Sequence, residues 1–191
     1  MLHYICHGAV RKILSPLESE IKNYGESLMK TGIKRIAYAA LTASMYVALT
    51  VAFAPISYGM VQFRISEALT VLPFFTPAAI YGLFVGCLIS NIFGGNGIYD
   101  IVFGSIATLI AALATYRARS KYLAPLPPVL INAVMIGTML SLLYDLNIML
   151  CVLSVGFGQI VVLYGLGLPL IYLLEPRSTV LFSGVLSKYR K

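Results

Sequence analysis

Residues 59–100 read GMVQFRISEALTVLPFFTPAAIYGLFVGCLISNIFGGNGIYD, and this stretch decides the fold. It holds Arg64, Glu67 and Asp100, the only charged residues between Arg35 and Arg117. Everything around them is apolar. Of the 191 residues 59% are hydrophobic and 11% charged, against about 25% charged in an average soluble domain. A mean hydropathy of +0.88 spread along the chain implies several membrane spans rather than one anchor.

The net charge of +7 comes from short basic segments flanking apolar runs. That is the positive-inside pattern of a membrane protein rather than a nucleic-acid footprint. Cys6, Cys87 and Cys151 are too far apart for a zinc site of the usual spacing or a disulfide framework. No secretory signal peptide fits the amino terminus.

Working outward, residues 1–28 are mixed in charge and least membrane-like, an extension preceding a more ordinary start at Met29. His3, Cys6 and His7 have soft-ligand chemistry, but a short terminal cluster is more often incidental, and no metal or cofactor is expected. A first span runs from about Ile33 to Pro55. Small residues recur along it, Ala40, Ser44, Ala48 and Ala52 in one row and Ala39 and Ala43 beside them. Such rows let another helix approach closely in lipid, either one of this chain's own or a partner's.

The segment from Ala68 to Gly94 is one long kinked helix or two short spans. The basic loop Arg117, Arg119, Lys121 belongs on the same side as Lys30, Lys34 and Arg35, so an even number of crossings separates them. Two spans follow, about Met60 to Phe75 and Pro77 to Phe93. A fourth runs from Ile98 to Tyr116, a fifth from about Leu126 to Tyr144 behind Pro125, Pro127 and Pro128, and a sixth from Ile148 to Leu174. Gly156, Gly158, Gly165 and Gly167 permit close contact along the sixth. The expectation is therefore an all-α polytopic membrane protein: six transmembrane helices over residues 29–176, both termini cytoplasmic, and a basic tail at 177–191.

The chain has no G-x-x-x-x-G-K-[ST] phosphate loop, no H-E-x-x-H and no G-x-S-x-G, and its histidines are confined to the terminus. An enzyme is not expected. What remains is a binding constellation at the outer ends of spans two, three and four. Phe63 and Glu67 share a helical face, Arg64 and Glu67 are neighbours at i, i+3, Asn91 and Tyr99 lie nearby, and Asp100 opens span four. Gln159 sits mid-span in the sixth helix. Carboxylates, a carboxamide and aromatic rings suit a planar polar heterocycle such as a guanine edge. The plainer alternatives are a structural Arg64–Glu67 pair, Asp100 as a helix cap, and Asn91 and Gln159 as interhelical glue. The tyrosines are expected mostly at the membrane interfaces.

The strings QFRISEALTVLPFFTP (62–77) and ISNIFGGNGIYDIVFGSIATLIAA (89–112), with the Ala/Ser rows of the first span, resemble the QueT family. These are predicted substrate-binding S components of bacterial energy-coupling factor (ECF) transporters, associated with queuosine precursors. The resemblance implies a multi-pass bacterial cell-membrane protein that takes up a 7-deazaguanine such as preQ1, preQ0 or queuine. It implies partners too: a transmembrane coupling subunit, docked through A-x-x-x-A pairs matched by Ala39 to Ala43 and Ala48 to Ala52, and two cytoplasmic ATPase subunits. The competing readings are an S component for another vitamin, such as a flavin or thiamine, and a stand-alone secondary carrier. A carrier would need acidic relay groups near the bilayer midplane, whereas the acids are expected at span ends.

Overall fold

The computed structural model describes residues 31–57, 63–95 and 97–182; the extension with His3, Cys6 and His7, Tyr58, Gln62 and the tail beyond 182 lie outside them. Every regular element among the described residues is a helix. Helix α1 spans Thr31–Ala52. A 3-10 helix follows at Ile65–Phe74, then α2 at Ala78–Gly94, α3 at Asp100–Tyr116, α4 at Leu126–Tyr144 and α5 at Ile148–Arg177. Helices α1, α4 and α5 are long and apolar enough to cross a membrane; the other three are shorter and apolar.

Local chemistry sets the boundaries. Pro125, Pro127 and Pro128 cluster at the start of α4, where missing N–H donors cost least. The helix ends at Asp145, whose φ of 52° is left-handed. Two residues on, the Asn147 side chain accepts from the backbone N–H of Met149 at 2.9 Å and of Leu150 at 3.4 Å, capping α5.

The second apolar segment departs from expectation. Within the span expected from about Met60 to Phe75, ten residues, Ile65–Phe74, wind as a 3-10 helix with Pro73 inside it. At about 2.0 Å per residue this covers only about 20 Å. Ser66, Glu67, Ala68, Leu69, Thr70, Val71 and Pro73 are all buried. The segment threads the interior of the bundle, which is where non-α backbone at membrane depth is tolerated. Thr50 on α1 anchors it, its hydroxyl 2.6 Å from that of Ser66.

The small-residue rows of α1 split. Ala39 and Ala43 face α2, where a Cβ at Gly82 would overlap the Ala39 carbonyl oxygen and lie 2.8 Å from Thr42 Cβ. A Cβ at Gly86 would lie 3.0 Å from the Ala43 carbonyl oxygen and 2.9 Å from Tyr46 Cβ. These two alanines thus pack against α2 within the chain. Ala40, Ser44, Ala48 and Ala52 point outward and are exposed. Of the glycines singled out on α5, Gly167 packs on Val71 and Gly156 on Ala133, while Gly165 faces open space. The tightest approach between α4 and α5 is at Gly137, where a Cβ would lie 2.6 Å from Val152 Cα.

Three apolar clusters fill the interior, around Phe75 and Leu163, around Leu83 and Leu69, and around Ile136 and Val155. The outer surface is also apolar, with Leu142 81% and Phe93 74% exposed, as suits a lipid solvent. The basic segments gather at one end. Tyr38 of α1 packs on Phe182 with ring centroids 5.6 Å apart, and Lys121 reaches Glu175 at 3.1 Å. The hydrogen bond to Glu175 raises the pKa of the Lys121 ammonium, which also lies 4.3 Å from the Tyr172 ring centroid.

Candidate functional site

The polar groups converge inside the bundle. Glu67, in the first turn of the 3-10 helix, is 2% exposed. Its Oε1 accepts from the Tyr46 hydroxyl of α1 at 2.5 Å, and its Oε2 accepts from the Asn132 side-chain amide of α4 at 3.2 Å. Arg64, the residue that caps the 3-10 helix, directs Nη2 to the Asp100 carboxylate at 3.9 Å and Nη1 to Cys87 Sγ at 3.8 Å. Glu67 is thus held by neutral donors from two other helices and Arg64 reaches toward Asp100, so the pair is more than a local i, i+3 bridge.

Asp100 opens α3 with a π-turn, Asp100–Gly104, which adds a residue to one turn and re-aims its side chains. Its carboxylate is 3% exposed and faces Arg64. Asn91, fully buried on α2, donates to the Asp100 carbonyl at 3.0 Å and to Cys87 Sγ at 3.4 Å. Gly104 makes room for it, since a Cβ there would lie 2.7 Å from Asn91 Nδ2. Thr108 adds a third donor to Cys87 Sγ at 3.3 Å.

Arg64, Glu67, Gly104, Thr108, Asn132, Ile136 and Gln159 line a small cavity of about 10 Å³, room for about one water molecule. Gln159 is 5% exposed and its Oε1 has no hydrogen-bond partner among the described residues. A buried carbonyl left unpaired carries a desolvation cost, and this one lies on the wall of the polar cavity.

The structure brings Arg64, Glu67, Asn91, Asp100 and Gln159 into one network or its cavity wall, and leaves two expected residues outside. Phe63 packs edge-on against Phe157 of α5 at 6.4 Å, and Tyr99 is 56% exposed. Phe63 and Arg64 precede the helix, and Arg64 is extended, with φ −86° and ψ 94°, so the i, i+4 spacing that would align 63 with 67 on a helix does not apply. Among the described residues no aromatic ring lines the cavity, and Ile136 supplies its apolar wall.

Sequence reasoning missed Tyr46, Cys87, Thr108 and Asn132. A signal for Asn132 was present, since it is the only carboxamide in α4 and a polar side chain within a span is functional by default. Tyr46 is fully buried rather than interfacial. The depth also differs from expectation. Tyr46, Cys87, Thr108, Asn132 and Gln159 each lie at least six residues from either end of their helix, about 9 Å of rise. Glu67, bonded to two of them, sits well inside the bundle and not at a span end.

Comparison with known proteins agrees with this architecture. Residues 36–176, most of the chain, match the family described as QueT transporter. A curated relative, "Queuosine precursor transporter QueT" of Lactococcus lactis subsp. cremoris (strain MG1363), is 38% identical over 73 residues. That match covers 37% of this chain and 43% of the relative, less than half of its length. No solved structure matches. The family match, running from α1 through α5 of an all-helical, apolar set of described residues, shows that the chain belongs to the QueT transporter family.

Proposed function

We propose that this chain is the substrate-binding membrane subunit, or S component, of an ECF-type importer for a queuosine precursor in the bacterial cell membrane. In this reading six apolar helices cross or enter the bilayer and the basic end of the bundle is cytoplasmic. The single observation that carries the substrate reading is the cavity wall: a carboxylate, a guanidinium and two carboxamides around a space that holds the unpaired Gln159 carbonyl.

A 7-deazaguanine edge offers adjacent N–H donors and a carbonyl acceptor. The Glu67 carboxylate has about four lone-pair sites, and Tyr46 and Asn132 use two. The remaining two accept the ring and exocyclic N–H groups, while the Gln159 carboxamide offers an acceptor and a donor. Binding widens the cavity, since its present volume is far below that of a bicyclic base. Energy comes from elsewhere, because the chain has no phosphate loop. The exposed row Ala40, Ser44, Ala48 and Ala52 suits docking on a coupling subunit, which would sit with two ATPase subunits.

Binding of preQ1, preQ0, queuine, riboflavin and thiamine to the purified protein tests this directly. A deazaguanine is expected to bind and the vitamins are not; vitamin binding without any deazaguanine signal would overturn the assignment. One observation favours a second reading, a self-sufficient carrier: Glu67 lies at the depth where a relay acid is needed. Uptake into proteoliposomes containing this chain alone would decide for it.

A further inference from the structure

Both carboxyl oxygens of Glu67 are held by the protein itself. The Tyr46 hydroxyl of α1 donates to Oε1 at 2.5 Å and the Asn132 amide of α4 donates to Oε2 at 3.2 Å. The last torsion of a glutamate is broad and roughly twofold, so the side chain's own covalent geometry leaves the plane of its carboxyl group unset. Donors from separate helices, one on each oxygen, set it. Asn132 lines the cavity beside Glu67, whereas Tyr46 does not. The Tyr46 ring is fully buried in the apolar cluster with Leu69, Leu83 and Cys87.

Tyr46 is pinned in turn. A Cβ at Gly86 would lie 2.9 Å from Tyr46 Cβ, so α2 packs directly against this position. Thr50, one turn along α1, places its hydroxyl 2.8 Å from the Tyr46 carbonyl oxygen and 2.6 Å from the hydroxyl of Ser66, the residue before Glu67. A phenol carries its oxygen on a rigid ring with few torsions. Once packing fixes those torsions, the hydroxyl is a fixed point against which the carboxyl group is oriented.

We infer that Tyr46 is a positioning residue: from outside the cavity it turns the Glu67 carboxyl group into the plane of the base edge, and so makes the exocyclic 2-amino group of a 7-deazaguanine a determinant of selectivity. This rests on the deazaguanine reading above and deepens it. Simultaneous bonds to the ring N–H and the exocyclic amine need both oxygens in the plane of the base; a carboxyl group free to rotate keeps one bond and loses the other. Orientation, and not charge, is what Tyr46 supplies, since a phenol hydroxyl donates to a carboxylate and donates to or accepts from a carboxylic acid.

The experiment measures the affinities of the full chain and of Tyr46→Phe for preQ1 and for its analogue lacking the 2-amino group. The parent is expected to prefer preQ1 by about tenfold, the worth of one well-aligned hydrogen bond. Tyr46→Phe removes one oxygen and keeps the ring. It is expected to weaken preQ1 binding by about tenfold and binding of the analogue by less than about threefold, so that the preference falls toward one. A preference that survives Tyr46→Phe overturns the positioning role, whether both ligands bind as before or both weaken together, as loss of a merely structural contact would make them do. A parent that binds the two ligands equally overturns the 2-amino determinant. In a Glu67→Gln background Tyr46→Phe is expected to have little further effect on the preference; fully additive effects overturn action through Glu67. Absence of any deazaguanine binding by the parent overturns the underlying reading, and this inference with it. Should Tyr46→Phe fail to fold, Gly82→Ala keeps the hydroxyl but draws α1 away from α2. The same fall in preference is then expected, and an unchanged preference overturns the inference.

Discussion

Replacing Gly82 with alanine probes the contact that sets the depth of Tyr46. The added Cβ would overlap the Ala39 carbonyl oxygen and lie 2.8 Å from Thr42 Cβ. Carbon atoms rest about 3.5–4.0 Å apart, so α1 must retreat from α2 by about 1 Å. Backbone cannot swing aside as a flexible side chain does. Tyr46 lies one turn beyond Thr42 on the same face, and its hydroxyl is 2.5 Å from Glu67. The same retreat stretches that bond to about 3.5 Å, beyond useful hydrogen-bond range. Overpacking of this kind costs about 2 kcal/mol, which corresponds to a fall in Tm of about 4–8 °C for a chain of this size. The buried thiols of Cys87 and Cys151 provide the assay. In a Cys6→Ser background, a maleimide fluorophore reports their exposure as detergent-solubilised protein is heated. Ala40→Leu, on the exposed side of α1, is the control and should leave Tm unchanged. A Gly82→Ala protein that melts with the parent would refute the close α1–α2 packing and the placement of Tyr46 that depends on it.

Other outcomes follow from the same geometry. Glu67→Gln should weaken deazaguanine binding by about ten- to hundredfold, the worth of hydrogen bonds to a charged group, as measured by calorimetry; Asp145→Asn, at an exposed left-handed position that Asn also tolerates, should not. Gln159→Leu removes an unpaired buried carbonyl at similar volume, so the Tm should hold or rise while ligand affinity falls. Asn147→Ala removes the cap of α5 and should lower Tm by about 2–4 °C, with affinity unchanged. Ala48→Leu should abolish co-purification with a coupling subunit and spare substrate binding, whereas Ala43→Leu should damage the fold itself, as it wedges against Gly86.

Much of the architecture was legible because the bilayer leaves few options. A charge-free apolar run must be a helix, prolines must stand at its start, and the basic segments must gather on one side. Those rules yield the order of the helices, the limits of α4 and the turn at Asp145–Asn147. They also isolate Arg64, Glu67 and Asp100, because three charges within about eighty apolar positions have no reason to be there except each other or a ligand.

What the sequence by itself determined is therefore the inventory: an all-helical apolar chain, its three isolated charges, and the carboxamides available to them. The tertiary structure alone decided who meets whom. Glu67 finds Tyr46 and Asn132 across 21 and 65 residues of sequence, and no periodicity encodes such lateral packing. The extended backbone at Arg64 that separates Phe63 from Glu67, and the 3-10 winding of the proline-bearing segment after it, belong to a mostly buried stretch where neighbours and not propensity set the backbone. The two small-residue rows of α1 are adjacent on one cylinder and equally smooth. Only the placement of Gly82 and Gly86 turns one inward and leaves the other facing out, because close approach needs small residues on both sides of the contact.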